Sequence, residues 1–214
     1  MTGESRVLRD KALEIYKRLD REYPEKISFI EFRSSYELLI CVILSAQTTD
    51  RQVMQAAEKL FKKYPDPESL AFAKQGEVEE IIRSTGFYRV KANNIIKTAG
   101  ILSSRFKSAV PDLMEDLLTL PGVGRKSANV ILGTVYSKPA VIVDTHFKRV
   151  SLRLGLALSR NPDIIEKEIK ALLDEKYQYR FSMTVNLHGR VVCHPSKPEC
   201  EKCILNKLCL YMKQ

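Results

Sequence analysis

Leu120-Pro121-Gly122-Val123-Gly124-Arg125-Lys126 constrains this chain more than any other stretch. Proline cannot donate a backbone N–H and glycine can take φ > 0, so Pro-Gly-Val-Gly reads as a tight turn. Helix-compatible segments flank it, Pro111–Leu118 before and Ser127-Ala128-Asn129-Val130-Ile131-Leu132 after. The N–H groups of the turn and of the first turn of the following helix have no intrahelical partner. Together they make an anion site, with Lys126 directly behind it. The chain has 214 residues and a net charge of +9, which points to a polyanion such as a nucleic-acid phosphate backbone.

The rest of the chain reads as helix. Leu8, Leu13, Tyr16, Leu19 and Tyr23 recur near helical spacing through residues 5–23, and Pro24 follows. Ser34-Ser35-Tyr36-Glu37 is a capping-box signature opening the apolar run Leu38 to Leu44, a buried central helix in which Cys41 is a core residue. Thr49 and Gln52 form a second box, for a helix reaching about Lys63. Pro67 suits the start of a short helix. Gly86 suits a helix end, with the next helix from about Arg89 to Arg105. Asp144 is a good N-cap for a helix from Phe147 to about Leu158. Asn161-Pro162 opens another, with Ile165, Ile169 and Leu172 on one face, and Tyr177 to Val192 forms the last long helix. No stretch alternates as a half-buried strand does, so the fold class is all-α. No apolar run approaches a membrane span, and the polar N-terminus lacks a signal-peptide core. These features predict a cytoplasmic protein in which disulfides are not expected.

Five cysteines are present, and Cys193, Cys200, Cys203 and Cys209 follow the pattern C-x6-C-x2-C-x5-C. Four thiols so close together predict a metal site. Zinc and a [4Fe–4S] cluster both accept four Cys, and the single C-x2-C pair leans away from zinc. On residue chemistry alone, Lys126 reads as a phosphate-binding lysine, Asp144 as an N-cap and Gln47 as an exposed loop side chain. Phe87 and Tyr88 read as core anchors or as a wedge aimed into a stacked duplex.

Taken together, Leu44-Ser45-Ala46-Gln47-Thr48-Thr49-Asp50, the hairpin from Leu120 to Val130, Val143-Asp144-Thr145-His146, Leu187-His188-Gly189-Arg190 and the cysteine tail resemble the endonuclease III family of helix-hairpin-helix DNA glycosylases. The similarity runs in order from about residue 6 to the last cysteine. It implies two helical halves with a DNA-binding cleft between them: a six-helix barrel over 28–138, and a cluster domain of 1–27 plus 139–214. It implies a [4Fe–4S] cluster on the four cysteines. The partner is double-stranded DNA carrying damaged pyrimidines or abasic sites, the chain acts as a monomer, and no membrane is involved. Lys126 matches the nucleophile and Asp144 the essential carboxylate, both lining the cleft. Gln47 matches the residue that fills the gap left by a flipped nucleotide, and Phe87 the intercalating wedge. Leu120, Gly122, Val123, Gly124, Arg125, Thr145, His146, Arg190 and Lys197 match the DNA contacts.

The implied activity is base excision of oxidised pyrimidines coupled to AP lyase chemistry. A neutral amine attacks C1′ to form an imine, the electron sink for β-elimination of the 3′ phosphate. The carboxylate stabilises the positive charge that develops on the sugar. Burial, the positive helix end and Arg125 are expected to favour the neutral form of Lys126. The alternatives are a monofunctional mismatch or uracil glycosylase of the same superfamily, and a non-catalytic DNA-binding module. His146 and His188 are expected to be hydrogen-bonded structural residues.

Overall fold

In the computed structural model, which describes residues 3–25 and 27–213, every regular element among the described residues is helical. The helices are α1 (Gly3–Glu22), α2 (Ser35–Leu44), α3 (Asp50–Lys63), α4 (Pro67–Ala71), α5 (Gln75–Ile81), α6 (Tyr88–Arg105), α7 (Met114–Leu117), α8 (Arg125–Tyr136), α9 (Thr145–Leu154), α10 (Pro162–Leu172) and α11 (Glu175–Val191). The chain divides into two compact units, Ser28–Tyr136 and Met1–Ile27 with Ser137–Gln214. None of the helices is long and apolar enough to cross a membrane, among the described residues.

The unit Ser28–Tyr136 is built on α2. Tyr36 and Leu38 through Leu44 are all buried, so this helix has no solvent face. Ser34 starts it by accepting from the Glu37 N–H at 3.2 Å, but the Glu37 carboxylate accepts from Arg33 N rather than closing the box on Ser34. Around α2 pack Val53, Ala56 and Leu60 of α3, Ala92, Ile95, Ala99 and Leu102 of α6, and Ala128, Ile131 and Leu132 of α8. Each fully buried aliphatic side chain contributes roughly 1.5–3 kcal/mol, so α2 alone anchors much of this unit's stability.

The other unit has its own core. Ala12, Ile15 and Leu19 of α1 meet Phe147, Val150 and Leu154 of α9, Ile165 and Ile169 of α10, and Phe181 and Val185 of α11. Phe147 and Phe181 pack edge-on with ring centroids 6.0 Å apart. Gly189 lets α11 approach α9 closely, since a Cβ there would lie 3.0 Å from His146 Cβ and 3.1 Å from Val150 Cγ2.

Two helices are shorter than the sequence predicts. The one from Phe147 ends at Leu154, not near Leu158, because Gly155 turns left-handed (φ 67°) and its N–H bonds back to Leu152 O. A side chain at 155 would meet Leu210 Cδ1 at 2.2 Å. The segment Pro111–Leu118 is helical only over Met114–Leu117. Helix α5 carries no strong cap signal, and the sequence pattern did not reveal it.

Candidate functional site

The hairpin forms as its residues dictate. After α7, Val123 N–H bonds to Leu120 O at 3.1 Å, and Leu120 and Val123 are buried as anchors. Gly122 sits at φ 81°, and a Cβ there would lie 2.9 Å from Ile43 Cγ2 and 3.1 Å from Asn94 Nδ2. The turn therefore needs glycine twice over, for its backbone and for its fit. Thr98 Oγ1 donates to Pro121 O at 3.0 Å and ties the turn to α6. Gly124 is exposed, and its carbonyl accepts from Ala128 N–H at 2.9 Å as α8 begins. Lys126 is exposed, and Arg125 half-buried, in the first turn of α8. The burial expected of Lys126 is not found in the chain by itself, because α8 turns Ala128, Ile131 and Leu132 inward and Lys126 lies off that face.

Gln47 and Phe87 stand on two other loops of the same unit. Both are exposed, Phe87 at 68 %, and both have left-handed backbones, at φ 52° and 48°. The wedge reading of Phe87 is thus compatible with its exposure, whereas the core-anchor reading is not. Sequence reasoning missed what joins these loops. Lys91, in the first turns of α6, is buried, and its ammonium donates to Leu44 O at 2.7 Å, Thr48 Oγ1 at 2.6 Å and Thr85 O at 2.6 Å. Thr48 Oγ1 in turn bonds to Thr85 O.

In the other unit, Asp144 caps α9, its Oδ1 accepting from Phe147 N–H at 2.7 Å. Thr145 beside it is exposed and His146 half-buried. Arg149 Nη2 donates to His146 Nδ1 at 3.3 Å and to Gly189 O at 2.7 Å, while its Nε donates to Cys193 O at 3.0 Å. Arg190, the last residue but one of α11, bonds to Asn186 Oδ1 at 2.9 Å. Lys197 is exposed at φ 55° on the loop between the first two tail cysteines. One helical turn beyond Arg149, Arg153 clamps the start of that loop, donating to His194 O at 2.7 Å and Pro195 O at 2.9 Å. This Arg149–Arg153 pair was also missed; its only sequence signal is two arginines four apart, which reads equally well as a solvated helix face.

The four tail cysteines line one cavity, together with Arg153 and Tyr211. Burial and then the neighbouring Cys193 and Cys209 push the Cys200 thiol up. Burial does the same to Cys203, with Cys193, Cys209 and Cys200 adding to it against the Leu205 backbone N–H. Cys200 and Cys203, whose ionisation is disfavoured in this way, are suited to a bound cation, which reverses the balance. Two nitrogens already face sulfur: Arg153 Nη1 lies 3.2 Å from Cys193 Sγ and His188 Nε2 lies 3.4 Å from Cys203 Sγ. His188 is buried, with Tyr23 OH 3.0 Å from its Nδ1, and burial pushes its pKa down to about 4. It is a neutral structural imidazole at neutral pH. As they stand, no three Cys, His, Asp or Glu side chains among the described residues converge closely enough to ligate one ion. By contrast Cys41 lies in the core of α2, where burial raises its thiol to about 12.

A helical unit carrying this hairpin defines a class, and comparison with known proteins gives the same class. Residues 40–175 match the model of the HhH-GPD superfamily base excision DNA repair proteins. The chain is 42% identical to endonuclease III of Synechocystis, over 94% of this chain and 92% of that one. It is 38% identical to endonuclease III of Escherichia coli, over 95% and 97%. Its fold matches a trapped endonuclease III–DNA covalent intermediate with a TM-score of 0.90 at 34% identity, covering 96% of this chain and 97% of that one. A thermostable thymine-DNA glycosylase matches at 0.81 and 26% identity, covering 98% and 96%. This chain belongs to the endonuclease III family, within the HhH-GPD superfamily of base excision DNA repair proteins.

Proposed function

We propose that this chain is a bifunctional DNA glycosylase and AP lyase that removes oxidised pyrimidines from duplex DNA. The observation that carries the reading is Lys126. It is an exposed amine in the first turn of α8, directly behind the Gly122 turn, in a chain that shares its fold with a covalently trapped endonuclease III–DNA intermediate. In this reading the turn and the first N–H groups of α8 hold a DNA phosphate, and docking the backbone aims the amine at C1′. The nitrogen forms an imine as the base leaves, and loss of the 2′ proton then expels the 3′ phosphate. Because Lys126 is exposed in the free chain, bound DNA supplies the desolvation that the amine requires.

Asp144 supplies the carboxylate that stabilises the developing sugar cation. Gln47 fills the gap left by the flipped nucleotide, and Phe87 wedges into the stack. Leu120, Gly122, Val123, Gly124, Arg125, Thr145, His146, Arg190 and Lys197 form or support the DNA contacts. Cys193, Cys200, Cys203 and Cys209 would hold a [4Fe–4S] cluster, which would fix the tail and the Lys197 loop without entering the reaction. The clamp of Arg149 and Arg153 on residues 193–195 supports that role for the loop.

Sodium borohydride should trap a covalent complex with DNA containing an abasic site, and Lys126→Gln should abolish it. Base release by the wild type with no trapped product would instead identify a monofunctional glycosylase. Asp144→Asn separates cap from catalyst, because asparagine caps helices as well as aspartate does. It should leave the melting temperature nearly unchanged and slow base release by about 100-fold or more in single-turnover assays. Affinity for DNA should fall steeply with salt as released counterions lose their entropic advantage.

A further inference from the structure

Lys91 goes against the local rules for lysine. It lies one turn into α6, at the positive end of the helix dipole, where a cation is disfavoured. It is 4 % exposed, and burial pushes its pKa down to about 8. Its three partners are neutral oxygens: Leu44 O, Thr48 Oγ1 and Thr85 O. An ammonium has three N–H donors, and all three are used. Such violations of local preference persist where they serve a function.

The partners mark what that function is. Leu44 ends α2, Thr48 lies one residue after Gln47, and Thr85 lies two residues before Phe87. Gln47 and Phe87 are exposed and left-handed without being glycine, conformations that persist only where the surroundings over-determine them. We infer that Lys91 is a positioning residue which locks the Gln47 and Phe87 loops into one fixed relative geometry, so that both side chains enter the duplex together. The inference rests on the gap-filling and wedge roles given above to Gln47 and Phe87. The buried ammonium closes a three-way knot with the direct Thr48 Oγ1–Thr85 O bond and so sets both loops as a pair, where separate anchors would let each loop drift.

The test compares Lys91→Met, which nearly keeps the volume and removes the donors, with the wild type. A 2-aminopurine next to an oxidised pyrimidine reports eversion of the base by its fluorescence in stopped flow. With Lys91→Met, eversion and single-turnover base release on duplex should fall by about 100-fold. Borohydride trapping on single-stranded DNA with an abasic site, which has no stack to invade, should be unchanged. The melting temperature should stay within about 5 °C of the wild type. Normal eversion, or equal losses on duplex and single strand, overturns the inference. If Lys91→Met does not fold, Thr48→Val removes the shared hydroxyl, and about a 10-fold loss confined to duplex is expected; no loss overturns the inference. A wild type that neither releases bases nor traps abasic DNA refutes the glycosylase reading itself, a result separable from either outcome with the variants.

Discussion

The hairpin turn and the Gln47–Phe87 loop pair both present left-handed backbone to solvent, but they are held in different ways. At Gly122 the positive φ sits on the residue type that tolerates it, and the hydrogen bond closing the turn, from Val123 to Leu120, is local. At Gln47 and Phe87 it sits on residues that resist it, and the restraint comes from the direct Thr48–Thr85 bond and from Lys91, which is 47 residues from Leu44, 43 from Thr48 and six from Thr85. A turn spelled by glycine takes its positive φ from its own sequence, and the Thr98 bond to Pro121 O only ties it to α6. A turn spelled by a glutamine or a phenylalanine needs a tertiary staple, and in return it keeps a side chain that can act on a ligand.

The largest effect expected from this contrast is at Gly122. Gly122→Ala combines a strained φ of 81° with a contact of 2.9 Å to Ile43 Cγ2. It should cost about 3 kcal/mol in denaturant melts, and DNA affinity at fixed salt should drop at least about 10-fold. An unaltered melt would remove the steric side of the contrast. Next comes the staple. The Lys91 pKa is lowered from 10.5 to about 8 in the fold, so the unfolded chain binds the extra proton between those values and stability gained from this group rises with pH across that window. Wild-type stability relative to Lys91→Met should therefore improve by roughly 1–3 kcal/mol from pH 8 to pH 10, other titrations cancelling in the difference. A constant gap would mean that the ammonium carries no burial cost. Gly86→Ala should cost less than Gly122→Ala, about 1–2 kcal/mol, because no atom lies within 4 Å of its Cβ and only the backbone at φ 62°, ψ 153° objects.

What could be read in the sequence follows the same line. The hairpin, the caps at Ser34, Thr49, Asp144 and Asn161, and the all-buried α2 depend on neighbours in the chain, and the structure has each of them. Gln47 and Phe87 could be singled out only by resemblance, since sequence physics sees an exposed amide and an aromatic beside a glycine. Lys91 could not be seen at all: within the helical pattern of α6 a lysine reads as a solvated position, and only long-range packing makes it buried. Arg149 and Arg153 were hidden likewise, because their acceptors are carbonyls about 40 residues away. The exposure of Lys126 corrects the burial expected of it, since helical pattern alone does not say which way the first turn of α8 faces.

The smallest stability effect gives the sharpest reading of the loop pair. Phe87 is 68 % exposed, so its ring contributes little to folding, while its left-handed backbone costs about 1–2 kcal/mol. Phe87→Gly removes that strain but frees the unfolded chain, which costs about 0.5–1 kcal/mol. The net expectation is a melt unchanged or stabilised by up to about 1.5 kcal/mol. Under the wedge role proposed for Phe87, the same substitution should slow base release from duplex while trapping of abasic single strands persists. If stability falls by much more than that, the ring is packing rather than probing, and the loop pair is then no different in kind from the hairpin.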